Sequence, residues 1–147
     1  MDHNLSEHLE QAARLRPKLR ALASDGVYFG TSSWKYDGWL GSIYSPDRYI
    51  TRGKHSTKKF EDTCLGEYAE TFPTVCGDFA FYQFPTPDYW DRLFSQTPGD
   101  FIFGLKVPED ITVSTWPKHA RYGRHAGLDN EHFLSAGTFE QYFTNRL

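Results

Sequence analysis

Cysteine is scarce in this sequence, with only Cys64 and Cys76 among 147 residues. Two thiols without CxxC spacing, and no His-x-x-x-His pair, exclude a disulfide framework and a structural zinc site. Both are expected to be free thiols acting as small buried hydrophobes. No signal-peptide pattern is read at the start, so a cytoplasmic location is expected. Long apolar runs are missing as well. No stretch of about 18 apolar residues occurs, which excludes a membrane-spanning helix. Positive charge is not in excess: 16 Lys and Arg face 19 Asp and Glu, for a net charge of -3. There is thus no electrostatic case for nucleic acid. No glycine loop cradles a phosphate, because Gly26 and Gly30 flank a strand rather than open a helix. Thr31-Ser32-Ser33 lacks a nucleophile-elbow frame. Internal repeats and low-complexity segments are also absent.

Aromatic residues, by contrast, make up 17% of the chain, so much of the buried apolar area must come from Phe, Tyr and Trp. The length suits one domain. Asn4–Leu22 reads as a helix, with Leu5, Leu9, Ala12, Leu15, Leu19 and Leu22 in one stripe and a capping box at Asn4 and Glu7. Pro17 is expected to kink or split it. A short buried strand at Val27–Gly30 follows and ends in hydroxyl and aromatic residues through Trp39. A long loop, Ser32–His55, leads to a helix at about Thr57–Phe72 whose face is Phe60, Cys64, Tyr68 and Phe72. Arg52, Lys54, His55, Lys58 and Lys59 read as a solvated basic run at its start. A second strand is expected at Thr74–Phe79, a helix at Asp88–Gln96 and a third strand at Phe101–Val107. After an irregular segment, Phe139, Tyr142, Phe143 and Leu147 share a last helical face, with Gly137 interrupting its start. Strands alternating with helices predict an α/β fold with parallel pairing and right-handed crossovers.

Three stretches carry a resemblance. Gly30-Thr31-Ser32-Ser33-Trp34-Lys35-Tyr36 with Trp39, then Phe81-Tyr82-Gln83-Phe84-Pro85, then Phe101–Pro108 with Ile111-Thr112, resemble the strand exits of the domain of unknown function 72 (YecE-like) family. The resemblance covers most of Val27–Leu147. It implies a TIM-type (β/α) barrel, of which this chain supplies about three parallel strand-helix units of eight, preceded by an N-terminal helix. A whole barrel takes about 250 residues. The expectation is therefore a helical extension at 1–25 and the N-terminal portion of a barrel at 26–147, in a shortened chain. A small three-layer α/β domain complete in itself is the alternative. The family's Glu-x-Asn in the second strand reads Cys76-Gly77-Asp78 here, and its His after the third-strand threonine is Val113. The acid-base roles of that Glu and His do not carry over.

Ligands of barrels and open α/β sheets bind beyond the carboxyl ends of the strands. That places Thr31, Ser32, Trp34 and Tyr36 at the first exit, Asp78, Tyr82 and Gln83 at the second, and Lys106, Glu109 and Asp110 at the third. Hydroxyls beside flat rings suit a sugar-like ligand; packing is the competing role of the rings. Alternation puts Lys106 on the face of Gly104, pointing into a barrel interior where Asp78 could meet it. These two are the expected catalytic residues, as an acid-base pair, with a structural ion pair as the competing role. Lys118, His119, Arg121, Arg124 and His125 cluster after the third strand. His119 and Arg121 are expected to contact an anionic group, unless the loop is simply solvated. No metal is assigned, and the cofactor is left open. The expected function is binding or transformation of a small polar, anionic or sugar-like molecule. A non-catalytic metabolite-binding or interaction protein and an inactive fragment are the alternatives. The expected partner is a small molecule, with neither nucleic acid nor membrane, and exposed sheet edges predict self-association.

Overall fold

The structure, a computed structural model, describes residues 3–144, with side-chain surroundings for residue 10 and for 12–143. The capping pair Asn4 and Glu7, and Leu5, Leu9 and Leu147 of the expected apolar faces, lie outside the residues so described. The chain is a mixed α/β protein with one three-stranded parallel sheet. It divides into two compact units, Met1–Gly77 with Asp91–Gly104, and Asp78–Trp90 with Leu105–Leu147. Among the described residues no helix is long and apolar enough to cross a membrane.

In the first unit, helix α1 (His3–Ser24) continues through Pro17 rather than splitting there. Proline costs the helix one hydrogen bond. That loss is offset by docking on helix α2 (Thr57–Thr71), where Ala12 and Leu19 are buried. Arg16 pairs with Glu70, and Arg20 donates to the Ala69 carbonyl. The α2 helix begins where Ser56 accepts from the Lys59 N–H and ends at Phe72, before Pro73. Its four-residue stripe is buried at Phe60, Cys64 and Tyr68, as the periodicity predicts, whereas Cys76, expected to be buried too, is exposed.

The sheet order is β1 (Gly30–Thr31), then β4 (Thr74–Gly77), then β5 (Ile102–Leu105). In the first pair, Gly30 lies opposite Thr74 and Thr31 opposite Val75, in parallel register. All three strands are shorter than the sequence pattern predicts. The expected first strand is displaced: Val27, Tyr28 and Phe29 are 46%, 45% and 54% exposed instead of buried. No strand flanks β1 on its other side among the described residues, so its approach segment has no cover. Only glycine fits at position 30, because a Cβ there would meet the Thr74 carbonyl oxygen at 2.0 Å.

The segment expected as a long loop is instead built on α2. Between 3-10 turns at Asp37–Trp39 and Pro46–Tyr49, Tyr44 and Tyr49 each pack edge-on to Phe60 at 5.0 Å. The Tyr44 hydroxyl donates to the Trp34 carbonyl. Buried Glu67 accepts from the Ser45 N–H at 2.9 Å and from the Tyr49 hydroxyl at 2.7 Å. The basic run is exposed throughout, but only Lys58 and Lys59 lie in the first turn of α2; Arg52, Lys54 and His55 belong to a hairpin instead. Ile50–Thr51 (β2) and Lys54–His55 (β3) form an antiparallel hairpin, and both turn residues, Arg52 and Gly53, have positive φ. A two-residue turn with that geometry matches the twist of its strands.

In the second unit, a helical turn α3 (Phe79–Tyr82) replaces the expected end of the second strand. Helix α4 (Pro87–Phe94) starts here and contributes buried Trp90. Phe143 lies 6.1 Å from that ring and stacks on Phe139 at 5.3 Å. Phe84 stacks on Tyr142 at 4.1 Å. Gly137 sits inside a short helix with Phe139 and does not interrupt it.

Two outcomes follow from this packing. Gly30→Ala is expected to cost about 1–3 kcal/mol or more through overpacking of the β1–β4 pair, read as a lower denaturation midpoint; an unchanged midpoint contradicts the close approach. Burial also pushes the Cys64 thiol up to about 12 from an ordinary 9.0, and raises the Tyr44, Tyr49 and Tyr68 hydroxyls. Groups held protonated by the fold stabilise it below their unfolded pKa and stop doing so as pH climbs through the folded one. The melting temperature is therefore expected to fall as pH rises from about 9 toward 12, with Cys64 unreactive to thiol reagents until the chain unfolds.

Candidate functional site

The second unit contains a cleft of about 690 Å³, ample for a molecule of monosaccharide size. Its floor is set by the segment after β5. Pro108 opens helix α5 (Glu109–Thr112), which buries Glu109 and Ile111. The chain then runs out and back. Thr115 bridges to Asp129, and the Trp116 N–H donates to the Leu128 carbonyl at 2.9 Å. Buried Asn130 fixes this return. Its amide donates to the Asp110 and Val113 carbonyls, each at 2.8 Å, and its side-chain oxygen accepts from the His132 N–H. One side chain thus replaces the hydrogen-bond ladder that an irregular segment lacks.

Between these ends a 3-10 segment, Ala120–His125, carries the cleft's cation. Arg121 Nη2 donates to Glu109 Oε2 at 2.5 Å and also to the Tyr122 hydroxyl, which itself donates to Glu109 Oε2 at 2.9 Å. The guanidinium lies 4.5 Å from the Tyr122 ring centre and 5.2 Å from that of Tyr82. The Tyr122 hydroxyl, ahead of the Glu109 carboxylate, raises the Arg121 pKa above its already high ordinary value. Trp116 lies beside the Tyr122 and His125 rings, at 5.4 and 6.3 Å. The His119 ring nitrogen accepts from the Arg121 N–H at 3.2 Å and so shapes the turn.

Asp78 and Lys106, which follow β4 and β5 directly, meet as the alternation predicts, with Nζ 3.0 Å from Oδ1. The expected burial of the lysine is not what the fold provides. Their side chains are 52% and 53% exposed, and the lysine rests over the Phe81 ring at 5.9 Å. No further strand flanks β5 among the described residues, and the pair stays about half in solvent. Gln83 is exposed.

The residues of the first exit belong to the other unit. Thr31 takes part in its packing: its N–H donates to the Tyr68 hydroxyl at 3.0 Å and its own hydroxyl donates to the Ser33 carbonyl at 2.6 Å. Trp34 is only 4% exposed, with Lys35 over its ring. Ser32 and Tyr36 are exposed, and Tyr36 packs edge-on to Trp39 at 5.3 Å. Sequence reasoning found Arg121 and Tyr82 but missed Trp116, Tyr122 and Asn130. The available signal was the aromatic content of 116–125, hidden by the basic residues around it.

A parallel sheet with charged groups at its strand exits, and a cleft lined by carboxylates, a guanidinium and aromatic rings, define an α/β protein with a small-molecule-sized depression. The family model described as "Protein of unknown function DUF72" matches residues 28–136, and the chain belongs to that family. No curated protein and no solved structure matches it. The match includes every cleft residue named above.

Asn130→Ala removes the partner of two part-buried carbonyls and of the His132 N–H. It is expected to cost about 1–3 kcal/mol and to speed amide exchange across 114–134 more than elsewhere. Uniform exchange would contradict the pinning role.

Proposed function

We propose that this protein binds a small polyhydroxylated, sugar-like molecule in the cleft of its second unit. The supporting observation is the contact among Glu109, Arg121 and Tyr122 beside Trp116. A carboxylate already oriented by two donors offers fixed acceptors to hydroxyl groups, and flat rings next to it offer a face to C–H surfaces. Preorganisation matters here, since a loosely held carboxylate loses affinity to ordering cost. Within this reading the three parallel strands are the opening arc of a TIM-type (β/α) barrel. Their order in the sheet follows their order in the chain, and ligand sites of such barrels lie past the carboxyl ends of the strands.

An enzymatic version of this reading assigns proton transfer or charge stabilisation to Asp78 and Lys106, on the strength of their 3.0 Å contact. A half-exposed pair of this kind gains about 0–1 kcal/mol from its own attraction, so its position at two strand exits, and not its contribution to stability, is the reason to test it. His119 acts in this scheme through the Arg121 turn. Of the first-exit candidates, Ser32 and Tyr36 are open to a ligand, whereas Thr31 and Trp34 serve the packing of the first unit, and a non-catalytic metabolite-binding role uses the same cleft without the pair.

Titrating the full chain with monosaccharides, followed by ligand-observed NMR, is expected to show binding. Trp116→Ala and Glu109→Gln should each weaken it about tenfold or more, whereas Lys106→Ala should leave affinity unchanged and abolish any turnover. Binding that ignores Trp116 and Glu109 would remove the cleft from consideration.

A further inference from the structure

The charge of the cleft narrows the class of ligand, given the reading that the cleft binds a polyhydroxylated molecule. Among the described residues that line it are four carboxylates, Glu109, Asp110, Asp129 and Glu131, and one guanidinium, that of Arg121. With His125 and His132 counted as neutral, the formal balance is -3. The entire 147-residue chain also carries -3, so the remainder is neutral on balance and the excess is concentrated at this cavity.

The one cation is already committed. Arg121 Nη2 donates to Glu109 at 2.5 Å, and its guanidinium lies 4.5 and 5.2 Å from the centres of two tyrosine rings. An incoming anion would have to compete with the carboxylate of Glu109 for it while approaching Asp110, Asp129 and Glu131. A cation meets the opposite situation. Asp129 accepts one hydrogen bond, from the Thr115 hydroxyl at 3.1 Å, and Glu131 lies 3.8 Å from the His132 ring. Neither contact supplies a permanent positive charge. Trp116 adds a second attraction, since the face of an indole favours a cation within about 6 Å.

We infer that the cleft selects polyhydroxylated ligands bearing an ammonium group, such as amino sugars, over neutral and acidic counterparts of the same shape. This reverses the anionic ligand expected from the basic residues around Arg121, because lysine and arginine there are outnumbered by carboxylates at the cavity itself. One uncompensated carboxylate about 5 Å from an ammonium in water changes affinity by about fourfold.

The probes are glucosamine, glucose and glucuronate, three sugars of one shape and different charge, titrated into the full chain at about pH 7, above the ordinary imidazole value and below the range in which an amine flanked by oxygens loses its proton. The expected order is glucosamine tightest, by about fourfold or more over glucose, with glucuronate weakest. The gap should shrink at high salt and in the Asp129→Asn, Glu131→Gln double variant, whose melting curve serves as the folding control. Equal affinity for glucosamine and glucose would overturn the charge selection and leave sugar binding standing. Tightest binding of glucuronate would overturn it too. Binding of none of the three would remove both this inference and the reading beneath it.

Discussion

The hydroxyl of Tyr68 is the point on which the first unit depends. It donates to the Thr74 carbonyl at 3.0 Å and accepts from the Thr31 N–H at 3.0 Å, so one buried phenol joins the end of α2 to both strands of the β1–β4 pair. The strands it joins are very short, and a two-residue strand has little cohesion of its own. Helix packing therefore supplies what the ladder cannot. Phe72 stacks on the Tyr68 ring at 4.7 Å and Phe101 meets it edge-on at 6.3 Å, which extends the same anchor toward the third strand.

Glu67, one residue earlier on α2, shows the cost and use of burying charge. A buried carboxylate is tolerated only when its acceptors are filled. Here a backbone N–H, a tyrosine hydroxyl and, at 3.4 Å, Arg48 Nε fill them. Because all three come from Ser45–Tyr49, the carboxylate holds this short 3-10 segment onto the helix. Asn130 does comparable work in the second unit, where α5 and the return segment are held by an amide rather than by strand pairing. Each unit thus relies on a buried polar side chain to order a long connection.

The two charged features at strand exits differ in kind. Glu109 is buried, doubly hydrogen-bonded and set in a cleft, whereas Asp78 and Lys106 are half in solvent. Electrostatics in water is weak and screened, and in a partly enclosed depression it is stronger. That difference makes the cleft, and not the ion pair, the better basis for recognition.

Much was determined by sequence alone. The spacing of Phe60, Cys64 and Tyr68, the Ser56 cap and Pro73 specify α2 locally. The strand-helix alternation and the residues after Gly30 indicate an α/β protein and its family. Periodicity also brought Asp78 and Lys106 to one place, because side-chain direction along a strand is a local property. Tertiary structure decided the rest. Whether Lys106 is enclosed depends on what stands beside β5, and the exposure of Val27, Tyr28 and Phe29 depends on what stands beside β1. The convergence of Glu109, Trp116, Arg121 and Asn130 depends on how an irregular segment doubles back. Such a path has no period to read; it is set by which buried polar groups find partners across many residues, and that is known only once the chain has folded.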